Sequence, residues 1–467
     1  MTTITNYQIA RLEENKVKVS AYINLNRQSH EVSFIVPGNS VYEGIEPFLT
    51  LALVPAMTVG QPIELVTPVS PRLLANIDTI QDIFQIWDKQ FHRIPVNAPA
   101  RKLETPASGS APNMPGKISA GINSSLQFLT QNLNSRVLKK ARSCLETKTG
   151  IGDKRKVACL FSGGVDSFYT LLKHFDEIDT LIFVSGGFDI HPHHYNQEFR
   201  CMISNRLRGV AQEMGKEFLD VEVHVQNFSG NYVNWFWYYG SAMAALAQLL
   251  SNRFHKVFFA SSYPYNNLRP CGSSPLLDPL WNTEYVEIFH DGAEAGRINK
   301  ILRLAKSEIA INNLRVCLNY SENREYNCGE CEKCIWTMAV LRARGVFNYS
   351  AFAHQLDLEV IAAMSLPEGL IKPWEDTLYQ LKEDANDPEL AQAIIKCLSK
   401  VQNIKGEEKL AALKKDLAEQ ERLFRVQQGW ARSLEEHNVW LTQQHDAANE
   451  WGHSLEKELM ALRQKQK

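Results

Sequence analysis

Apolar and polar positions divide the chain into stretches of different period. Val17 to Asn24 and Glu31 to Val36 alternate in steps of two and are separated by a polar turn, the pattern of half-buried paired strands. Leu51 to Met57 is a continuous apolar run that fits strand or helix, and Asn76 to Gln90 shows helical periodicity. The block Arg101 to Lys117 then gathers Pro106, Ser108, Gly109, Ser110, Pro112, Pro115 and Gly116, a linker composition. The expectation is a small α+β domain over 1–100 and a linker over 101–117.

From 118 to 345 the pattern changes. Lys156 to Phe161, Thr180 to Ser185, Val221 to Val225, Lys256 to Ser261 and Tyr285 to His290 read as buried strands. Helical stretches near 166–175, 196–214 and 232–251 lie between them. Such alternation predicts βαβ units, hence an α/β domain whose parallel sheet is covered on both faces. Ligands then bind at the carboxyl ends of the strands.

Residues 346–404 read as helical, broken at Pro367 and Pro373. Beyond 404, Leu413, Leu434, Leu441, Ala448, Leu455 and Leu462 share one heptad position, and Leu410, Leu417, Phe424, Ala431 and Leu459 another. Gln420, Gln427, Asn438 and His445 interrupt the seam. This predicts a coiled coil over 405–467, through which the chain self-associates or meets a partner helix; one amphipathic helix folded on the body is the alternative.

Composition narrows the class. At 467 residues, roughly three domains of ~150 residues fit. Fifty Lys and Arg stand against 52 Asp and Glu, so nothing resembles the basic excess of a nucleic-acid coat. No apolar run is long enough to cross a membrane, and Met1 to Tyr7 lacks a secretory pattern, which makes the cytoplasm the expected home. Cysteines are sparse except at Cys317, Cys328, Cys331 and Cys334, a crowding that signals metal or redox chemistry in a reducing compartment.

The richest segment is Ser162-Gly163-Gly164-Val165-Asp166-Ser167, running from a buried strand straight into a helix. Two glycines permit a tight turn whose N–H groups approach an anion. Ser162 and Ser167 add hydroxyl donors, and the helix N-terminus adds its dipole. Together they make a pyrophosphate cradle, distinct from the Gly-x4-Gly-Lys loop of common NTPases. Asp166 would repel phosphate unless Mg²⁺ intervenes. The plain alternative is a strand-to-helix turn capped by Ser or Asp.

In the second motif, Cys317-x10-Cys328-x2-Cys331-x2-Cys334, four thiolates suit a closed tetrahedral Zn²⁺. An iron–sulfur cluster is the alternative, though no Cys-Pro follows and the fourth cysteine lies upstream.

The phosphate loop resembles the PP-loop of the ATP pyrophosphatase superfamily, the adenine nucleotide α-hydrolases. Its pairing with the terminal cysteines resembles the 7-cyano-7-deazaguanine synthase family of queuosine-type pathways, whose relatives also occur in anti-phage defence clusters. The likeness covers about 155–345. It implies a HUP-type, Rossmann-like domain with a zinc knuckle. It also implies ATP held with Mg²⁺ by Ser162, Gly163, Gly164, Asp166 and Ser167, and zinc held by the four cysteines. Arg297 and Lys300, three residues apart on one helix face, would supply cations for the leaving phosphate; a solvated helix face is the alternative.

The expected activity is an ATP-dependent carbon–nitrogen ligase. A small carboxylate is adenylated with release of pyrophosphate, and ammonia then gives an amide or nitrile. Sulfur transfer to a tRNA base and a non-catalytic nucleotide-binding assembly subunit are the alternatives. A glutamine-hydrolysing asparagine-synthetase type is disfavoured because Thr2, not cysteine, follows Met1.

Several further residues carry weaker claims. His290, Asp291 and Glu294 follow the fifth strand, and Ser261 and Ser262 follow the fourth. His191, His193 and His194 sit in a loop that is a candidate pocket wall rather than a metal site. The Trp235 to Tyr239 run reads as core packing rather than a base-stacking platform.

Overall fold

The computed structural model describes residues 1–38, 40–102, 155–186, 197–317, 326–347, 349–384 and 387–402. Most of the expected linker, the loop holding His191, His193 and His194, and the expected coiled coil lie outside these residues.

Three strands open the chain: β1 (Thr2–Leu12), β2 (Lys16–Leu25) and β3 (Gln28–Pro37), paired antiparallel in sequence. Glu14 and Asn15, then Asn26 and Arg27, take positive φ, as tight hairpin turns require. Alternate residues of β2, from Val17 to Leu25, are buried. The apolar run at 51–57 lies inside a helix, α1 (Glu46–Val59), followed by the two-residue strand β4 (Ile63–Glu64), α2 (Pro71–Trp87) and β5 (Val96–Asn97).

The α/β portion begins with β6 (Lys156–Leu160) and α3 (Val165–Lys173). It continues through β7 (Thr180–Ser185), α4 (Gln197–Glu213) and β8 (Glu217–His224). After the short turn α5 (Gln226–Ser229) come α6 (Trp235–Leu249), β9 (Phe254–Ala260) and β10 (Glu287–Asp291). Helices α7 (Arg297–Leu304), α8 (Glu308–Asn313) and α9 (Glu332–Ala343) follow.

All ten strands form one mostly parallel sheet in the order β10-β9-β6-β7-β8-β3-β2-β1-β4-β5. The five strands from β6 to β10 are mutually parallel, and β6 has β9 on one side and β7 on the other. Strand order therefore reverses at β6, and the crevice beyond its carboxyl end is where an open α/β sheet receives a ligand.

The N-terminal strands do not pack as a body of their own, contrary to the expected separate 1–100 domain. β3 pairs with β8 through Ser33↔His224, Phe34↔Val223 and Ile35↔Glu222, so the meander extends the parallel sheet. α1 is buried along nearly its whole length and packs on α6. Thr50 Oγ1 donates to Gln248 Oε1 at 2.9 Å, and Tyr238 OH donates to the Leu51 carbonyl at 3.1 Å. Apolar strands and an apolar helix without an opposing layer have no core; the α/β portion supplies it. Met1–Leu356 is one compact unit, so neither the 101–117 linker nor position 345 ends a packing unit.

Asp357–Lys467 forms the second unit, of which three helices are described: α10 (Leu358–Ala363), α11 (Glu368–Asp384) and α12 (Pro388–Gln402). Trp374, Leu390, Ile394 and Cys397 are buried there. The expected break at Pro367 falls between α10 and α11, whereas Pro373 lies inside α11. A proline this near a helix start removes a single i→i−4 bond, and the turn continues past it. No helix among the described residues is long and apolar enough to cross a membrane.

Candidate functional site

The residues Ser162 to Ser167 form a tight turn at the end of β6 and the start of α3. Gly163 has φ +75°, where a Cβ would stand 2.7 Å from Leu207 Cδ2 and 3.2 Å from the Tyr326 hydroxyl. Only glycine fits both the backbone and the space. Gly164 caps α3, and its N–H lies 3.3 Å from Ser162 Oγ. Ser167, in the first turn, donates its hydroxyl to the Gly164 carbonyl at 3.1 Å.

Asp166 meets two cations from α7. Lys300 Nζ donates to its Oδ1 at 2.8 Å and Arg297 Nη1 to its Oδ2 at 3.2 Å. Lys300 is almost wholly buried, and it also donates to the Ser261 carbonyl at 2.5 Å. A buried ammonium must be paired, and here both partners belong to the loop or to the end of β9. The three-residue spacing of Arg297 and Lys300 does place both on one carboxylate. Asp166 therefore has its charge balanced by side chains rather than standing bare beside the turn.

The other titratable residues at the end of β10 and just beyond it are used elsewhere. His290 Nδ1 lies 2.7 Å from the fully buried Asp278, which also accepts from Ser273 Oγ at 2.7 Å. Asp291 accepts from Thr170, Lys173 and His174 within 2.9 Å. Burial would raise the Asp291 carboxyl, but the hydrogen bonds from His174 and Lys173 outweigh it and bring its pKa down to about 2. Burial likewise lowers His174, yet Asp291 and Glu177 leave its pKa raised. Glu294 accepts from Lys173 at 2.6 Å and from Tyr169 at 2.9 Å. This network ties α3 to the end of β10 and supports the site from behind.

A cavity of about 220 Å³ opens over the carboxyl ends of β6, β7 and β9. Ser162, Asp166 and Ser262 line its polar side, and Trp235, Tyr239 and Met243 its aromatic side. The aromatic run is thus divided between two jobs. Trp237 packs into a cluster with Phe84, Trp87 and Phe91, and Tyr238 is buried against α1, as core packing predicts. Trp235 and Tyr239 instead wall the cavity. A larger hollow, about 550 Å³, lies between α2 and residues 93–98; its charged lining residues, Asp78 and Arg93, pair with each other at 3.1 Å.

The four cysteines converge. Their sulfurs all lie within 4.8 Å of one another, with Cys317–Cys328 at 3.5 Å, Cys317–Cys331 at 3.8 Å and Cys328–Cys334 at 4.0 Å. A tetrahedron of thiolates around one ion at about 2.3 Å requires edges of about 3.8 Å. The cluster therefore fits a single metal ion such as zinc, whereas an iron–sulfur cluster would spread its ligands apart. Cys328 Sγ accepts from the N–H groups of Cys331 at 3.2 Å and Glu330 at 3.4 Å, and Gly329 turns between them at φ +73°. Hydrogen bonding from Cys317 pulls the Cys331 thiol far below its ordinary range, while bonding to Cys317 and Cys331 pushes Cys334 far above.

Two contributors carry no sequence signal. Arg315 donates through its backbone N–H to the Gly163 carbonyl at 2.8 Å and through Nε to the Ser162 carbonyl at 3.1 Å. Lys333, between two of the cysteines, is partly buried; burial and then the charge of Arg297 lower its pKa, with Asp166 acting in the opposite sense. A third cation therefore stands near Asp166 and Arg297.

No protein-family model matches this chain, and no curated protein or solved structure matches it either.

Proposed function

We propose that the chain is a PP-loop ATP pyrophosphatase with a HUP-type domain, acting as a carbon–nitrogen ligase of the 7-cyano-7-deazaguanine synthase type. One observation carries the reading: a Ser-Gly-Gly-x-Asp-Ser turn at the strand-order reversal, with Lys300 and Arg297 both brought to its aspartate. The N–H groups of the turn and the two cations beside it support this reading, because both would attract a pyrophosphate. The adjoining cavity walled by Trp235 and Tyr239 has room beside it for an aromatic base.

In this reading a substrate carboxylate oxygen attacks the α-phosphorus of ATP. The bond to the bridging oxygen breaks, and pyrophosphate leaves with that electron pair. Lys300 and Arg297 offset the growing charge on the departing group. Ammonia then attacks the acyl carbon and loses a proton as AMP departs, giving an amide; the amide oxygen then attacks the α-phosphorus of a second ATP, pyrophosphate leaves, and AMP departs with that oxygen as the nitrogen gives up its two protons, leaving the nitrile. Asp166, now paired with Lys300 and Arg297, would be the carboxylate nearest a Mg²⁺ ion brought by the nucleotide, and such an ion would supply further positive charge beside the phosphates. Cys317, Cys328, Cys331 and Cys334 would hold Zn²⁺ as a closed site that contributes folding energy rather than chemistry.

The test is product analysis. ATP incubated with the protein, ammonium and candidate carboxylates should yield AMP and pyrophosphate, with an amide or nitrile seen by mass spectrometry. Release of ADP and orthophosphate would remove the assignment.

A further inference from the structure

The phosphate turn and the cysteine cluster are joined by the segment Asn313 to Cys317. At one end, Arg315 holds two successive carbonyls of the turn, those of Ser162 and Gly163. A trans peptide points its N–H opposite to its C=O, so engaging these two carbonyls aims the following N–H groups, of Gly163 and Gly164, away from Arg315. Those are the N–H groups a phosphate in the turn would meet, the second of which rests on Ser162 Oγ at 3.3 Å. At the other end, Cys317 is the first cysteine of the cluster.

The segment is held from the knuckle side. The buried Asn327, immediately before Cys328, accepts from the N–H groups of Val316 at 2.8 Å and Cys317 at 3.1 Å, and donates to the Leu314 carbonyl at 2.7 Å. Tyr326 donates to the Asn313 carbonyl at 2.8 Å and crowds the vacant Cβ position of Gly163. Closing four sulfurs on one ion fixes Cys317 against Cys328, and with it the position of Arg315 two residues earlier.

We propose that Arg315 is a positioning residue for the Ser162–Gly164 turn, and that closure of the cysteine cluster on its metal holds Arg315 in register. Metal occupancy thereby sets the affinity of the turn for a phosphate group. The proposal rests on reading that turn as an anion cradle, and its test separates the two.

Pyrophosphate is the probe, titrated calorimetrically into the zinc-loaded full chain. Arg315→Met removes the Nε donor and the charge. Arg315→Gln places an uncharged amide nitrogen where Nε stood, so it keeps the donor alone. Arg315→Met should bind about tenfold more weakly, the worth of one hydrogen bond, and Arg315→Gln should recover most of that loss. Chelating the metal should weaken wild-type binding and should weaken Arg315→Met by a smaller factor. Hydrogen exchange of the 159–168 segment without ligand should quicken on chelation and in Arg315→Met, while other segments of the same molecule serve as folding references.

Equal losses in Met and Gln variants would make this a charge effect and overturn the proposal. So would equal chelation factors in wild type and Arg315→Met, or exchange that does not respond. If exchange responds but the zinc-loaded wild type binds no pyrophosphate, the positioning role stands and the nucleotide reading falls.

Discussion

Replacing Lys300 by Met tests the charge arrangement around Asp166 most directly. The side chain is 2% exposed, and its two acceptors are Asp166 Oδ1 and the Ser261 carbonyl. Breaking a buried ion pair from one side typically costs ~3–5 kcal/mol. Two features reduce that here. Asp166 is 21% exposed and keeps Arg297, and methionine preserves most of the stem's packing without a buried charge. What remains is the Ser261 carbonyl left without its donor, about 1–2 kcal/mol, and a screened share of the Asp166 pairing, about 1 kcal/mol. Lys300→Met should therefore lose about 2–3 kcal/mol. Asp166→Asn should lose more, about 4 kcal/mol, because it leaves the more deeply buried partner charged. The double variant should lose at least about 1 kcal/mol less than the sum, as contacting residues do. Equilibrium urea unfolding gives all four corners of the cycle. Additivity within about 0.5 kcal/mol, or an Asp166→Asn variant milder than Lys300→Met, would refute the buried pair as the source of stability.

Elemental analysis should find about one zinc per chain, and Cys328→Ser should lose the metal and about 4 kcal/mol or more of stability, since binding energy at such a site is folding energy; iron with visible absorbance would contradict this. Gly240→Ala should cost about 3 kcal/mol or more, because its Cβ would fall 1.6 Å from the Gly272 carbonyl oxygen and backbone cannot yield as a side chain does. In contrast, Gly209→Ala, on an exposed helical position with nothing within 4 Å, should gain about 0.5–1 kcal/mol. His174, its pKa raised by Asp291 and Glu177 over the opposing effect of burial, stabilises fully below the free-imidazole value of about 6.5. That contribution is lost as pH rises through its folded pKa. The stability difference between wild type and His174→Gln should shrink with rising pH over that window; a difference independent of pH would show that the imidazolium is not what holds α3 to Asp291.

The α/β elements were legible because each announces itself locally. A strand buried on both faces must be apolar along its middle, as Leu181–Val184 is, and a Ser-Gly-Gly turn followed at once by a helix leaves its mark in six residues. The cysteine cluster was legible because metal ligands near one another in sequence have few other ways to meet. The place of the N-terminal strands was not, because edge pairing such as β3 with β8 is made by backbone groups that every residue carries. Once paired, Phe34 and Val223 belong to one core, but nothing in either strand's alternation names its partner. The aromatic run was legible only in part, for a related reason. Periodicity gives the helix, yet Trp235, Tyr239 and Met243, spaced four apart, face the cavity while Trp237 faces Phe84 and Phe91, and only the position of α2 decides which stripe is core. Arg315 is the limiting case. Its contribution comes from one backbone N–H and one side-chain N–H aimed at two carbonyls 152 and 153 positions earlier in the chain (315 − 163 and 315 − 162). An arginine two residues before a cysteine is common, and only the turn it holds gives it meaning. Sequence thus reveals the groups that face a ligand, whose chemistry restricts the residue type. The groups that aim them act through backbone carbonyls and become visible only when the chain is folded.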